Sequence, residues 1–342
     1  RVAPVELALS LEGDSAGETL RHMAGNTAAA KQAAGRRGIG PASLRVKLAG
    51  ASASSLVTLA ELETSSTAGP TRAVFEGTSS VDGSGALALS GNVVVAAPDA
   101  GDILLLAGAP RRPLVAGSVV RGALALERKG GVTSITTHSL DVGGSRIAGT
   151  ITLAGKGERT RVDGQLTANR ISVLGLFGLL LDGEAQGTVA ASSDGDETPS
   201  PWPDTPVSMA LLDAVEGQIT LRAPHASLAE GLDLSDAELS IGLSPGRLNI
   251  AGLTGAALGG RFTARGAIEA APAGANLSIE ARMTGARLAQ LGGSRAANQR
   301  NLGEANLSVV LSARATSLRA AMSVLAGKGE IEVRNGRIEG LG

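Results

Sequence analysis

The sequence predicts a mainly β protein: an elongated antiparallel sheet built from hairpin repeats, with a few short helices. Apolar and polar residues alternate in many short runs, which is the period of a strand with one buried face. Gly, Asn and Asp interrupt these runs at the spacing of tight turns. Aromatic residues make up only 1% of the chain, so Ala, Leu, Val and Ile must supply any core.

The clearest predicted strand covers residues 276–283, in which Leu277, Ile279, Ala281 and Met283 point to one side and polar residues to the other. Runs of the same period occur at 5–11, 44–48, 85–95, 122–127, 147–153, 161–168, 218–222, 238–243, 247–251, 261–269, 306–313 and 330–334. Glycine-containing turns at 81–85, 128–131 and 244–247 connect neighbouring runs. Short connections of this kind predict sequentially paired, antiparallel strands.

Helices are predicted in only a few places. An Ala-rich helix or loop is expected near 15–38, and brief helices at 171–181 and 287–291. Between Ser317 and Leu325, Leu318, Ala321 and Met322 recur at helical spacing, which predicts one or two amphipathic turns.

The predicted domain organisation has three parts. Residues 1–181 form a repetitive β segment, 182–206 a Gly/Ser/Pro-rich linker or loop, and 207–342 a second β module. A degenerate repeat relates 140–174 to 253–291, each a strand pair followed by a short helical segment. Units of this kind stack in one direction and extend a sheet.

Composition and charge argue against several functional classes. The 31 basic and 32 acidic residues are spread along the chain, and aromatic stacking platforms are scarce, so no nucleic-acid partner is predicted. Cys is absent, and His22, His138 and His225 have no second ligand at metal-like spacing. We therefore predict a non-enzymatic protein with no catalytic residues, no metal and no cofactor.

A set of motifs extends over residues 202 to 342. It comprises Trp202 between two prolines, the segments 217–221, 231–237, 246–250 and 258–262, and a helix–Gly–strand–Asn-Gly–strand pattern at 317–341. With these motifs the region resembles the C-terminal module of the AsmA family. The segment 121–174 resembles a preceding repeat more weakly.

This resemblance implies a curved, groove-like sheet related to bridge-like lipid-transfer proteins, located in the periplasm. An N-terminal inner-membrane helix, not present in this sequence, is expected to anchor it. The implied partners are phospholipid or another acyl lipid, the inner and outer membranes, and outer-membrane proteins. The implied role is outer-membrane lipid homeostasis and assembly.

Lipid is expected to contact one apolar stripe of the C-terminal module. Its residues are Leu277, Ile279, Met283, Leu307, Val309, Leu311, Ile331 and Val333. Periodicity alone fits an open trough and a closed sandwich core equally well; the resemblance favours the trough. The alternative function is an assembly factor whose sheet edges pair with outer-membrane protein strands. A β-solenoid adhesin would need a regular repeat of about 20–30 residues, and the sequence has none.

Overall fold

The computed structural model describes most of the predicted strands. The described residues are 5–13, 41–52, 55–66, 69–81, 86–106, 118–156, 159–173, 175–176, 212–213, 215–229, 231–272, 274–287 and 303–335. They belong to two compact units, Arg1–Leu166 and Thr167–Gly342. The predicted helix or loop near 15–38 and the predicted linker at 182–206 lie outside the described residues.

The first unit is a series of antiparallel hairpins. Its elements are β1 (Val5–Gly13), β2 (Ala42–Ser52), β3 (Ser55–Ser66), β4 (Gly69–Val81), β5 (Leu87–Ala97), α1 (Ala100–Leu106), β6 (Val120–Lys129), β7 (Val132–Val142), β8 (Ser145–Lys156) and β9 (Arg159–Ala168), the last of which runs two residues past the boundary. From β1 to β8 each strand pairs antiparallel with the next one in sequence.

The second unit repeats this plan. Its elements are β10 (Ile171–Ser172), β11 (Val215–Ala229), β12 (Leu232–Ser244), β13 (Arg247–Ala257), β14 (Gly260–Ala271), β15 (Gly274–Arg287), β16 (Glu304–Ala315), α2 (Leu318–Ser323) and β17 (Ala326–Arg334). Strands β11 to β17 pair antiparallel in sequence order, and only β10 pairs parallel, with β11. The prediction of a mainly β fold built from antiparallel hairpins is confirmed.

Several predicted turns are tight hairpin connections. Gly130 and Gly131 both have positive φ (56° and 79°) and join β6 to β7, where Lys129 pairs with Val132. A two-residue loop with two positive φ angles is the turn whose twist matches that of the flanking strands. Gly246, with φ 63°, likewise closes the β12–β13 hairpin predicted at 244–247.

The helix predicted between Ser317 and Leu325 is confirmed as α2. The Ser317 side chain accepts a hydrogen bond from the backbone N–H of Ala320 at 3.1 Å, which caps the first turn. The helix predicted at 171–181 begins two residues later, because Ile171 and Ser172 form strand β10, whereas residues 173, 175 and 176 are helical. The helix predicted at 287–291 is wrong at Arg287, the last residue of β15, and its other residues lie outside the described ranges. At these first positions, pairing with a neighbouring strand prevails over local helical spacing.

Gly149 in β8 occupies a position where no side chain fits. A Cβ atom there would lie 2.1 Å from the carbonyl oxygen of Gln165 in β9, and its φ of 132° is strained for other residues. We expect Gly149→Ala to lower the free energy of unfolding by about 1–3 kcal/mol, measured by urea denaturation. Gly155→Ala in the same strand, with nothing within 4 Å of its Cβ, is the control and should change it by less than about 0.5 kcal/mol. Equal effects of the two substitutions would contradict this explanation.

Candidate functional site

Strand register brings the predicted apolar stripe together on one face of the second unit. Residues directly opposite on antiparallel strands project to the same side. Met283 pairs with Leu307, and Leu307 pairs with Ile331. Ile279 pairs with Leu311 on the same side. Leu277, Val309 and Val333 have the same parity on their strands, so all eight stripe residues share this side, which we call the apolar face of the second unit.

The side chains of the apolar face become more exposed from β12 to β17. On β12 and β13 the face is closed, with Leu239 and Leu248 both 0% exposed. On β15, Met283 is buried, Leu277 is half-buried and Ile279 is exposed. On β16, Leu307 is 41% exposed, and on β17 Ile331 reaches 63% and Val333 50%. The stripe therefore combines a packed part with a solvent-exposed part.

Small side chains form one row across strands β14 to β17 on the apolar face. One cross-strand row consists of Ala264, Ala281, Val309 and Gly329, on β14 to β17. The next row along the strands has larger side chains: Phe262, Met283, Leu307 and Ile331. The rows run across the strands, so a band of small side chains lies beside a band of larger ones on the apolar face. The sequence-based stripe omitted Ala264, Ala281 and Gly329. Alternation within 276–283 already places Ala281 on this side, and register adds Ala264 and Gly329 to the same face.

The opposite face of the same strands is charged. Arg265 contacts Glu280 across β14 and β15 at 2.5 Å, and Arg282 contacts the other oxygen of Glu280 at 3.0 Å. The hydrogen bond from Arg265 is the main cause that lowers the pKa of Glu280 below its usual value. Arg247 and Glu269 form another ion pair at 2.9 Å. Water solvates this side, whereas the other side is apolar.

The first unit has an apolar face of the same kind. Phe75 on β4 pairs with Val93 on β5, and Val93 pairs with Leu124 on β6. These three side chains are half-buried. On β1 the face is exposed, since Leu7 and Leu9 are 57% and 48% accessible. An apolar face with exposed members is thus a property of both units, and the sequence-based stripe covered only one of them.

A short helix covers one end of each apolar face. In the first unit, Ala100 of α1 packs with Val95, Ala97 and Val120. In the second unit, Ala321 of α2 packs with Ala313 and Ala315, and Leu277 lies against this cluster. The helices therefore occupy the apolar surface at the strand ends and leave the middle of each face to other contacts.

The histidines considered in the sequence analysis are surface residues wherever the structure describes them. His138 and His225 are exposed strand residues, and His22 lies outside the described ranges. Within those ranges no group of three or more His, Cys, Asp or Glu could hold a metal ion. Among the residues that the structure describes, no helix has the combined length and apolar character needed to span a membrane.

The model of the AsmA family matches residues 133–342, from the first residues of β7 to the end of the chain. Comparison with curated proteins and with solved structures gives no significant match. The match covers the predicted region beginning at Trp202 and extends it toward the N-terminus, across the segment whose resemblance was weaker. Because the match covers more than half of the 342 residues, the chain belongs to the AsmA family.

Proposed function

We propose that this chain binds or conducts phospholipid along its apolar faces, as a non-enzymatic periplasmic part of an AsmA family protein. Family membership indicates a role in lipid transport or assembly at the cell envelope. In the proposal, an N-terminal helix outside this sequence anchors the protein in the inner membrane. By binding or conducting phospholipid, the protein supports lipid homeostasis and assembly of the outer membrane.

One observation carries the proposal: exposed apolar side chains recur on one face, where Leu307 (41% exposed) lies opposite Ile331 (63%) and Ile279 (37%) lies two cross-strand rows away. The half-buried Val309 and Leu311 connect them on the same face. Contiguous exposed apolar side chains are costly in water and mark a surface that receives an apolar partner. Each acyl methylene moved from water to such a surface gains about 0.8 kcal/mol, so contact with a few methylenes gives measurable binding.

The composition of the face supports an acyl chain as that partner. In the proposal, the row Ala264–Ala281–Val309–Gly329 is the floor of a trough that receives the acyl chain. Aliphatic side chains and Gly line this trough, and the half-buried Phe262 in the neighbouring row is the single aromatic ring in the two rows of β14 to β17. A surface with few rings and many small residues suits a flexible hydrocarbon chain, because dispersion contacts need close approach without directional partners. The charged opposite face keeps that side of the sheet in water.

A second candidate function rests on β17. All nine of its residues are exposed, and among the described strands it pairs with β16 alone. An exposed edge strand can accept another strand by backbone hydrogen bonding. This arrangement supports the alternative that the protein pairs with outer-membrane protein strands during assembly. That alternative predicts tolerance of charged substitutions on the stripe and loss of function from changes in β17.

Lipid extraction tests the proposal directly. The protein is purified from bacterial membranes and periplasm without detergent, extracted, and examined by mass spectrometry, and a photoreactive phospholipid is cross-linked to it in parallel. We expect co-purified phospholipid and cross-links on peptides containing Ile279, Leu307 or Ile331. Absence of lipid together with cross-links outside the apolar faces would refute the proposal.

A further inference from the structure

Strands β1 and β17 are edge strands among the strands that the structure describes. Within that set, β1 forms a ladder with β2 alone and β17 forms one with β16 alone. Each of the two strands is nine residues long. The N–H and C=O groups along the edge of a sheet can pair with a further strand. Each molecule therefore has two edges that can take part in strand addition.

Both edges carry exposed aliphatic side chains on one side. Leu7 and Leu9 of β1 and Ile331 and Val333 of β17 are between 48% and 63% exposed. Leu9 lies in one cross-strand row with Phe75 and so belongs to the apolar face of the first unit. Ile331 belongs to the apolar face of the second unit. Each edge therefore presents the margin of an apolar face to solvent.

The charged residues of the two edges match in spacing and are opposite in sign. The charged residues of β1 are Glu6 and Glu12, six positions apart. The cations of β17 are Lys328 and Arg334, also six positions apart. Arg334 contacts Glu332 of its own strand at 2.9 Å, and its side chain remains 65% exposed. The two edges therefore have complementary charges at the same interval.

One register aligns the apolar and the charged residues of the two edges together. Leu9 is the midpoint between the two glutamates of β1, and Ile331 is the midpoint between the two cations of β17. With Leu9 beside Ile331, each glutamate of β1 lies beside a cation, whichever direction the added strand takes. The two glutamates of β17 then lie beside the uncharged Ala8 and Ser10. No like charges are opposed in this register.

We propose that β1 of one copy of this chain adds to β17 of a second copy, so that the molecules associate head to tail. Unlike charges beside each other on neighbouring strands are favourable, and like charges are unfavourable. Two β1 edges would bring only glutamates together, which disfavours pairing of β1 with itself. Because the two joined edges differ, the contact is heterologous and can continue beyond a dimer. The apolar face of the second unit then continues into the first unit of the next copy.

Disulfide trapping tests this contact, because the chain contains no Cys of its own. Leu9→Cys protein is mixed with Ile331→Cys protein of a different mass and oxidised, since side chains on adjacent strands can reach disulfide geometry. The matched control replaces Ile331→Cys with Val310→Cys. Val310 is a 57% exposed apolar residue on β16, which has a strand on each side. We expect mixed dimers in the first mixture and few in the control or with either variant alone.

Charge reversal provides a second measurement, made by sedimentation velocity on the chain without Cys. E6K/E12K and K328E/R334E should each weaken self-association about tenfold, because two favourable cross-strand pairs become repulsive. Mixing these two variants should restore association, because the reversed edge of each then matches an unchanged edge of the other. High salt should weaken association of the parent protein. Far-ultraviolet circular dichroism checks that both variants remain folded.

Equal disulfide yields in the two mixtures, or charge reversals that leave association unchanged, would overturn this inference. Dimers that form as readily from Ile331→Cys alone would show β17 pairing with itself and would also overturn it. So would a parent protein that stays monomeric at every concentration, which would leave β17 to a strand of another protein. The inference does not rest on lipid binding, so the lipid content of these proteins does not decide it.

Discussion

The triple variant I279D/L307D/I331D is expected to lose at least tenfold of the phospholipid that co-purifies with the parent protein. The three residues share the apolar face, with Leu307 opposite Ile331 and Ile279 two cross-strand rows away. All three are already exposed, so carboxylates there remain solvated in the lipid-free protein and folding should survive. Acyl chains bound to the variant, by contrast, lose their contacts with these three apolar side chains. Losing contact with only two methylenes, at about 0.8 kcal/mol each, reduces binding about tenfold. Mass spectrometry of extracts, normalised to protein, gives the result.

The matched control for this variant is Val310→Asp. Val310 lies between Val309 and Leu311 on the same strand, points to the charged face and is 57% exposed. The substitution Val310→Asp changes the charge and hydrophobicity of β16 and leaves the side chains of the apolar face unchanged. Retention of lipid by V310D and loss by the triple variant would locate binding on the apolar face. Equal lipid content in the triple variant and the parent would contradict the proposal and favour the edge-pairing alternative.

Sequence periodicity predicted strands β11 to β17 well, because apolar and polar residues alternate in a run within each of them. In β15 the alternation from Asn276 to Met283 is uninterrupted, and the strand covers it fully. Strand β3 was not predicted, because apolar residues occur on both of its sides. Val57 and Leu59 lie on one side of that strand and Ala60 and Leu62 on the other, so no two-residue period remains. Helix α1, with its short apolar run, gives no periodic signal that separates helix from strand.

The membership of the stripe was predictable, since parity within each strand determines its side once the strands pair in order. What the sequence did not reveal is which parts of the face are closed. Leu248 and Ile331 are both aliphatic strand residues with the same alternation, yet one is 0% and the other 63% exposed. Burial depends on what packs above each strand, and that is a tertiary property. Met322 of α2, which is 42% exposed, is a similar case, because only the packing of Ala321 shows which side of the helix lies on the sheet.

The difference between the packed and exposed parts of the apolar face leads to a prediction about stability. Leu248→Ala should lower the free energy of unfolding of the second unit by about 2–5 kcal/mol, because a fully buried leucine leaves a cavity when it is truncated. Ile331→Ala, on the same face, should lower it by less than about 1 kcal/mol, since most of that side chain already contacts water. Urea denaturation followed by circular dichroism measures both.

The difference in stability between Leu248→Ala and Ile331→Ala tests the physical basis of the proposed function. Lipid can bind only to apolar surface that the folded chain does not use for its own packing. If Ile331→Ala is nearly neutral while Leu248→Ala is severe, the β17 side of the face contributes little to folding and is available to an acyl chain. If the two truncations cost the same, Ile331 belongs to a closed core in solution, and neither the trough nor the lipid would have a place there.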